Sequence, residues 1–206
     1  MLEVLTGAGL ATAAGLNAYI PLLVVGLSAR FLDWIDLPPA WAWLSNEWVM
    51  IVIGVLLVLE IVADKIPAVD SINDIVQTVV RPTAGGIIFG AGTTSQTVAV
   101  TDPAAFFASN QWVPVAIGVI LSLTVHVGKT MARPAANAAS LGLAAPVLST
   151  VEDAVSVVLT FLAILLPILV IVAIIGVVIG GVALIRRSRR KRRQALDAPA
   201  VPSAPA

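Results

Sequence analysis

Long apolar runs dominate this chain, and most are close to the length that a helix needs to cross a lipid bilayer. About 20 helical residues cross the roughly 30 Å of hydrocarbon in a membrane. Polar residues, glycine and proline separate the runs. The pattern predicts an all-α transmembrane helix bundle with about six spans, at residues 5–28, 48–63, 82–100, 112–127, 134–148 and 154–185. The runs 82–100 and 134–148 are rich in small residues and fit either a full crossing or a re-entrant segment.

Two segments modify this simple pattern. Residues 69–80 carry apolar side chains at helical spacing and polar side chains on the other face, which predicts a short amphipathic helix. We expect this helix to lie at the cytoplasmic interface or to fold back into the bundle. The run 154–185 is longer than one crossing requires, and Pro167 is the expected position of a kink.

Two of the apolar runs resemble each other. Eight of 18 positions are identical between residues 48–65 (WVMIVIGVLLVLEIVADK) and residues 112–129 (WVPVAIGVILSLTVHVGK). An Arg-Pro pair follows each copy, Arg81-Pro82 and Arg133-Pro134, and each pair opens a run of small residues. Small residues let helices approach closely in lipid. The similarity predicts a duplicated helical hairpin, and the alternative is chance similarity between two hydrophobic helices.

Composition supports a membrane-embedded chain, and the distribution of charge predicts its orientation. Of the 206 residues, 59% are hydrophobic and 12% are charged, and the mean hydropathy is +1.00. A soluble domain is about 25% charged. Seven of the twelve basic residues lie between Arg186 and Arg193. The positive-inside rule then places the C-terminus in the cytoplasm, and six spans place the N-terminus there too. We therefore expect a multi-pass protein of the bacterial inner membrane.

The basic run divides the chain into a membrane domain, residues 1–185, and a tail, residues 186–206. The run from Arg186 to Arg193 is expected to stop insertion of the last span, and the less favoured interpretation is contact with anionic lipid headgroups. The Ala/Pro-rich residues 194–206 are typical of disorder. The lipid bilayer is the expected partner, and a homo-oligomer is compatible with the sequence. Nucleic acid is not expected, because the basic run lacks interleaved aromatic residues.

Polar side chains at membrane depth are the candidate functional residues, because burying them in hydrocarbon is costly. One interpretation is a proton or cation site. The other is a structural ion-pair network, or a set of groups solvated at the interface. The candidate ion, proton or solute site comprises Asn17, Glu60, Asp64, Asp70, Asp74, Arg81, His126, Lys129, Arg133, Asn137, Glu152 and Asp153.

Several of these residues have a structural alternative of their own. His126 either packs with a hydrogen bond or responds to pH, since the ordinary pKa of histidine lies near neutrality. Asn17 either bonds across helices or caps a break in the first span near Pro21. Glu152 and Asp153 are also placed to complement the positive N-terminal end of the last helix.

Five short motifs resemble those of one family. They are GLNAYIPLL at 15–23, EIVADKIPAVD at 60–70, D-x-x-x-T-x-x-R-P at 74–82, H-x-x-K-x-x-x-R-P at 126–134 and LSTVED at 148–153. Through these motifs, residues 2–166 resemble a bacterial integral-membrane family known as domain of unknown function 4126. The resemblance implies a membrane protein without an assigned activity and offers no catalytic residues. The basic run and the tail lie beyond the core of that family.

Three hypotheses for function follow. The first is a small transporter or channel-like protein, in which Glu60 and Asp64 accept a cation or proton and His126 relays it. The second is a non-enzymatic membrane scaffold or assembly subunit. The third and least favoured is an intramembrane enzyme that acts on lipid through Asp70, Asp74 and His126. The sequence has no P-loop, no H-E-x-x-H or G-x-S-x-G motif and no cysteine, so no cofactor or metal is expected.

Overall fold

A computed structural model describes residues 2–32, 34–93, 110–139 and 144–173, together with residues 175, 176, 179 and 186. Every regular element in these ranges is helical, which confirms the predicted all-α class. The elements are α1 (Leu2–Leu16), α2 (Tyr19–Leu27), a π-helical segment (Ser28–Leu32), a 3-10 helix (Pro39–Ser45), α3 (Glu47–Ala63), α4 (Pro67–Thr93), α5 (Trp112–Ala139) and α6 (Ala144–Leu165).

The first predicted span, 5–28, is broken between α1 and α2. The side-chain oxygen of Asn17 accepts hydrogen bonds from the backbone N–H groups of Tyr19 (3.0 Å) and Ile20 (3.1 Å). These bonds satisfy N–H groups that a new helix leaves without partners. The break therefore lies at Asn17, four residues before Pro21, and it leaves the last carbonyls of α1 open to other donors.

Helix α1 lies at the centre of the bundle, where it packs against α4, α5 and α6, and the largest helix interface joins α4 to α5. Glycine permits this close approach. A Cβ atom on Gly118 would lie 2.2 Å from the carbonyl oxygen of Gly85, and one on Gly15 would lie 2.6 Å from the carbonyl oxygen of Ser122. Helix α3 lies at the edge of the bundle, chiefly against α2. Small residues thus set the spacing of the central helices, as expected in lipid.

Helix α4 buries its polar face and exposes its apolar face, which is the reverse of a surface helix in a water-soluble protein. Its apolar side chains Ile75 and Val79 are 73% and 70% exposed, whereas Gln77 and Arg81 are only 2% and 0% exposed. A soluble helix turns its apolar stripe toward the core and its polar face toward water. The reversed arrangement is stable where the surrounding medium is hydrocarbon. This helix therefore supports a membrane protein more directly than composition does.

Length and hydropathy identify two helical stretches that can cross a membrane, Trp112–Pro134 and Ala145–Leu165, within the described residues. A third crossing is available if the 3-10 helix and α3, which meet at an angle of 63°, form one broken span. The helical stretches Leu2–Leu16 and Tyr19–Leu32 are apolar but shorter. Two or three spans are thus supported, and the count of six remains a prediction.

Two differences between the predicted and the observed helix bounds involve a proline. The predicted amphipathic helix 69–80 and the start of the predicted span 82–100 form one helix, α4, with Pro82 inside it. The predicted span 134–148 is divided between α5, which continues through Pro134, and α6. Proline removes one backbone N–H but does not end a helix whose neighbours hold it in place. Residues 94–100 and 140–143 of these predicted spans lie outside the described residues.

The two similar segments occupy different places in the bundle. Residues 112–129 belong to the central helix α5, where Gly118 is packed against α4. Residues 48–65 lie on α3 and just beyond it, and a Cβ atom on Gly54, the counterpart of Gly118, would meet no atom within 4 Å. The two segments are therefore similar in sequence but differ in how they pack against the rest of the bundle. The kink expected near Pro167 coincides with an interruption at Leu166, between α6 and a further helical stretch from residue 167.

Candidate functional site

A set of ionisable side chains meets inside the bundle, at one end. They come from α3, α4, α5 and α6 and from Asp64, the residue that follows α3. We call this set the ion-pair cluster. Charged groups in a membrane protein pair with one another in the protein interior because exposure to hydrocarbon is costly. The members of the cluster are Glu60, Asp64, Asp74, Arg81, His126, Lys129, Arg133 and Glu152.

Arg81 is the most deeply buried member of the ion-pair cluster. Its side chain is fully enclosed, and Nη2 donates to Glu60 Oε1 at 2.8 Å. The same nitrogen lies 3.6 Å from Asp64 Oδ2. The carbonyl oxygen of Arg81 also accepts a hydrogen bond from Ser122 Oγ at 2.7 Å, which ties α4 to α5. Arg81 thus joins α3, α4 and α5 through both its side chain and its backbone.

His126 is held in one tautomer by its two neighbours. Its Nδ1 lies 3.3 Å from Arg81 Nη1, and because a guanidinium group only donates, Nδ1 must accept. The ring proton is then on Nε2, which donates to Thr78 Oγ1 at 3.1 Å. The Thr78 hydroxyl in turn donates to the carbonyl oxygen of Asp74 at 2.8 Å. His126 is therefore neutral, and neither ring nitrogen is free for acid–base chemistry.

Lys129 connects the ion-pair cluster to the break in the first span. Its Nζ donates to the carbonyl oxygen of Leu16 at 3.2 Å, which is one of the carbonyls that the end of α1 leaves open. The same ammonium group lies 2.9 Å from Glu152 Oε2 and 3.6 Å from Asp64 Oδ2. The break at Asn17 thus provides a backbone carbonyl that accepts a hydrogen bond from the buried ammonium group of Lys129.

Arg133 carries the network toward the end of α5. Its Nη2 donates to Glu152 Oε2 at 2.6 Å and lies 3.5 Å from Asp64 Oδ2, and its Nη1 lies 3.7 Å from Asp74 Oδ1. Asp64 also accepts a hydrogen bond from Asn73 Nδ2 at 2.7 Å. The carboxylate of Asp64 therefore faces all three cations of the cluster, Arg81, Lys129 and Arg133.

Asp64 lies one residue beyond α3 and outside the predicted span 48–63. Burial by itself raises the pKa of its carboxyl group, but the positive charges of Lys129, Arg81 and Arg133 and the hydrogen bond from Asn73 outweigh it. The net pKa of Asp64 is consequently below its ordinary value. Asp64 is therefore ionised at neutral pH and balances the cations around it.

Asn17 and Asp153 form a second contact beside the ion-pair cluster. Asn17 Nδ2 donates to Asp153 Oδ1 at 3.0 Å, while its oxygen caps α2. Lys65 Nζ lies 4.0 Å from Asp153 Oδ2. Both structural interpretations of Asn17 thus hold at once: it bonds across helices, and it caps the break in the first span.

The carboxyl groups of the ion-pair cluster outnumber its cations. Within the described part of the chain, the four acids Glu60, Asp64, Asp74 and Glu152 face three bases, and the neutral His126 adds no charge. Three buried oxygens there have no hydrogen-bond partner, Glu60 Oε2, Asp74 Oδ1 and the side-chain oxygen Oε1 of Gln77, and one buried donor, Arg81 Nε, also has none. The surplus of one acid and the excess of unsatisfied acceptors point to a missing positive charge or donor.

The structure brings together ten of the twelve predicted site residues, and the side chains of Asp70 and Asn137 lie outside the described residues. Whether this set acts as a functional site remains a prediction. Sequence analysis did not include Gln77 in the site, although Gln77 lies one turn before Arg81 on the polar face of α4. The polar positions 70, 73, 77 and 81 have the spacing of one continuous helical face, which includes Arg81 because α4 continues through Pro82.

A separate groove lies between α2, the 3-10 helix and α3. Its volume is about 420 Å³, and its lining is apolar and aromatic: Tyr19, Leu22, Trp43, Trp48, Val49, Val52, Ile53 and Leu56. Tyr19 connects it to the ion-pair cluster, since its phenol group lies close enough to Glu60 and Arg81 to interact with their charges. No group of three or more histidine or carboxylate side chains in the described ranges is arranged to hold a metal ion.

A family model matches most of the chain. The model of a family described as "Domain of unknown function (DUF4126)" matches residues 4–187. No curated protein and no solved structure matches the chain.

Proposed function

Because the chain belongs to the family described as Domain of unknown function (DUF4126), whose description carries no activity, we propose its function from the ion-pair cluster. The protein is a small transporter or channel-like membrane protein that uses this cluster to move an ion, a proton or a small solute. The observation that carries the proposal is one connected network of seven ionisable side chains with a surplus acid, in which five side chains are buried and those of Asp74 and Glu152 are partly exposed.

The energetics of buried charge support a role beyond stability. Replacing a buried ion pair by apolar residues of similar volume is often neutral or stabilising. A helix bundle that only had to fold in lipid would gain little from seven such groups. Ionisable residues inside membrane proteins instead mark ion and solute pathways. The burial of Arg81 and Glu60 is consistent with a site that is closed to both sides in this conformation.

The proposed topology keeps the orientation that the charge distribution predicts. We propose six spans of the bacterial inner membrane, with both termini in the cytoplasm and the run from Arg186 to Arg193 against anionic headgroups. A duplicated hairpin is part of the same proposal, because internal repeats and broken helices are features of transporters. The break at Asn17, whose freed carbonyl at Leu16 binds Lys129, supports this comparison.

Flux through reconstituted protein tests the proposed function. The full-length chain is placed in liposomes that enclose a pH-sensitive dye, and gradients of protons, sodium, potassium, chloride and small solutes are applied in turn. We expect flux above that of empty liposomes for at least one of them, and its loss in Glu60→Gln. Glu47→Gln is the matched control, since Glu47 lies on the same helix but is exposed at its other end. Absence of flux across the whole panel would contradict the proposal.

A membrane scaffold or assembly subunit is the second candidate, and one observation favours it. Helix α3 exposes a row of apolar side chains along its length, including Ile51, Val55, Val58 and Val62. A partner helix could cover this face as well as lipid does. Cross-linking of the chain in native membranes, followed by purification in mild detergent, tests this candidate. Recovery of a stoichiometric partner bound at α3, together with no flux, would favour the scaffold over the transporter.

A further inference from the structure

We infer that Glu60 binds one exchangeable proton at Oε2, so that the proton is the ion that this protein moves or couples to. The role of the proton as the transported or coupled ion rests on the proposed function. The binding of a proton by Glu60 rests on the geometry of the cluster alone. The geometry consists of a surplus carboxyl group, a buried carboxylate oxygen without a partner, and an unmatched amide oxygen on the neighbouring helix.

The charge balance requires one more positive charge in the cluster. Four carboxyl groups face three cations among the described residues, and His126 is neutral because Arg81 donates to its Nδ1. Binding of one proton converts one carboxylate, with charge −1, to a neutral carboxylic acid. The cluster then carries no net charge. A buried site reaches this state more easily by binding a proton than by holding an unpaired carboxylate.

Glu60 is the carboxyl group that this balance selects. Asp64 accepts a hydrogen bond at Oδ1 and faces three cations at Oδ2, and Glu152 Oε2 is paired with Lys129 and Arg133. Asp74 Oδ1 also has no hydrogen bond, but the Asp74 side chain is 19% exposed, whereas that of Glu60 is 1% exposed. Glu60 is almost fully buried, and its Oε2 has no donor.

Several polar groups lie around Glu60. The charged groups that face it are Arg81 on α4, Asp64 at the end of its own helix and Lys129 on α5, and the Tyr19 phenol on α2 lies close to it. Gln77, which is buried one turn from Arg81 on α4, has an unmatched side-chain oxygen. A proton on Glu60 Oε2 adds a donor to a part of the bundle that holds unmatched buried acceptors.

Infrared difference spectroscopy on the full-length chain in lipid tests the inference without measuring transport. A protonated carboxyl group has a carbonyl stretch that a carboxylate lacks. We expect this band in the wild type at neutral pH, its loss on alkaline titration, and its absence in Glu60→Gln. Glu47→Gln should keep the band. Gln77→Leu, which leaves the carboxyl group in place, should also keep the band.

Two results would overturn the inference. One is a wild-type spectrum with no such band at any pH at which the protein stays folded, or a band that persists in Glu60→Gln. The other is loss of the band on addition of sodium at fixed pH, which would identify a metal cation as the bound ion. Flux without the band contradicts only this inference, whereas the band without any flux contradicts only the proposed transport function.

Discussion

Replacement of Gly118 by alanine should disrupt the interface between α4 and α5. The added Cβ atom would lie 2.2 Å from the carbonyl oxygen of Gly85 and 2.5 Å from the Phe89 Cβ atom, whereas ordinary contacts of a Cβ atom are 3.4–4 Å. A backbone oxygen cannot rotate away, so the two helices must separate by about 1 Å. Overpacking of this kind costs about 1–3 kcal/mol. We expect Gly118→Ala to destabilise the protein by that amount.

Gly54→Ala is the matched control for this prediction. It makes the same change in the similar segment on α3, but a Cβ atom there meets nothing within 4 Å. Alanine is favoured over glycine in a helix by about 0.5–1 kcal/mol. Gly54→Ala should therefore be neutral or slightly stabilising. The two variants are expected to differ by about 1–4 kcal/mol, although each adds one methyl group to a glycine in an apolar helix.

Thermal unfolding in detergent micelles provides the assay. The fraction of monodisperse protein is measured by size-exclusion chromatography after heating, for the wild type and both variants at equal detergent concentration. We expect the midpoint of Gly118→Ala to fall below that of the wild type, and that of Gly54→Ala to be equal or higher. Equal midpoints for the two variants would refute the close packing of α4 against α5.

Three further predictions concern the ion-pair cluster, the helix caps and the topology. Because the folded-state pKa of Asp64 is lowered, its carboxylate stabilises the fold above the unfolded-state pKa of about 3.9, and this contribution is lost as pH falls through the lower folded-state pKa. Asp64→Asn should flatten the acid side of a profile of melting temperature against pH. Asn17→Ala, which removes a cap and a bond to another helix, should cost about 1–3 kcal/mol in thermal unfolding, and Asn46→Ala, which removes only a cap, about 0.5–2 kcal/mol. An enzymatic reporter fused after Ala206 should be active only on the cytoplasmic side of the membrane.

The helical class and the central apolar helices could be predicted from the sequence, because hydrophobic runs of the right length have few alternatives in lipid. The region that became α5 shows this well up to residue 127. Its continuation through Pro134 to Ala139 could not be predicted, because local rules treat proline as a helix boundary. The packing of α5 against α4 and α1 holds the helix together beyond that point, and packing is not visible in local sequence.

The membership of the ion-pair cluster could be predicted, but its pairing could not. The cost of charge in hydrocarbon identified Glu60, Arg81 and His126 as residues that need partners. That Arg81 contacts both of the others depends on how α3 and α5 lie against α4. The same applies to Gln77. The sequence predicts a short amphipathic helix at 69–80, at the interface or folded back into the bundle, and the structure unites this segment with the start of the predicted span 82–100 in one helix, α4.

A double-mutant cycle on Glu60→Gln and Arg81→Gln tests most directly the central claim that these two side chains are in direct contact inside the bundle. Residues in direct contact show coupling energies of about 0.5–3 kcal/mol, and distant ones add within about 0.5 kcal/mol. The exposed pair Arg30–Glu47, at the other end of α3, is the reference and should couple by less than about 1 kcal/mol. We predict that unfolding in detergent gives a coupling above this reference for Glu60 and Arg81. Additive effects of the two substitutions would contradict the account.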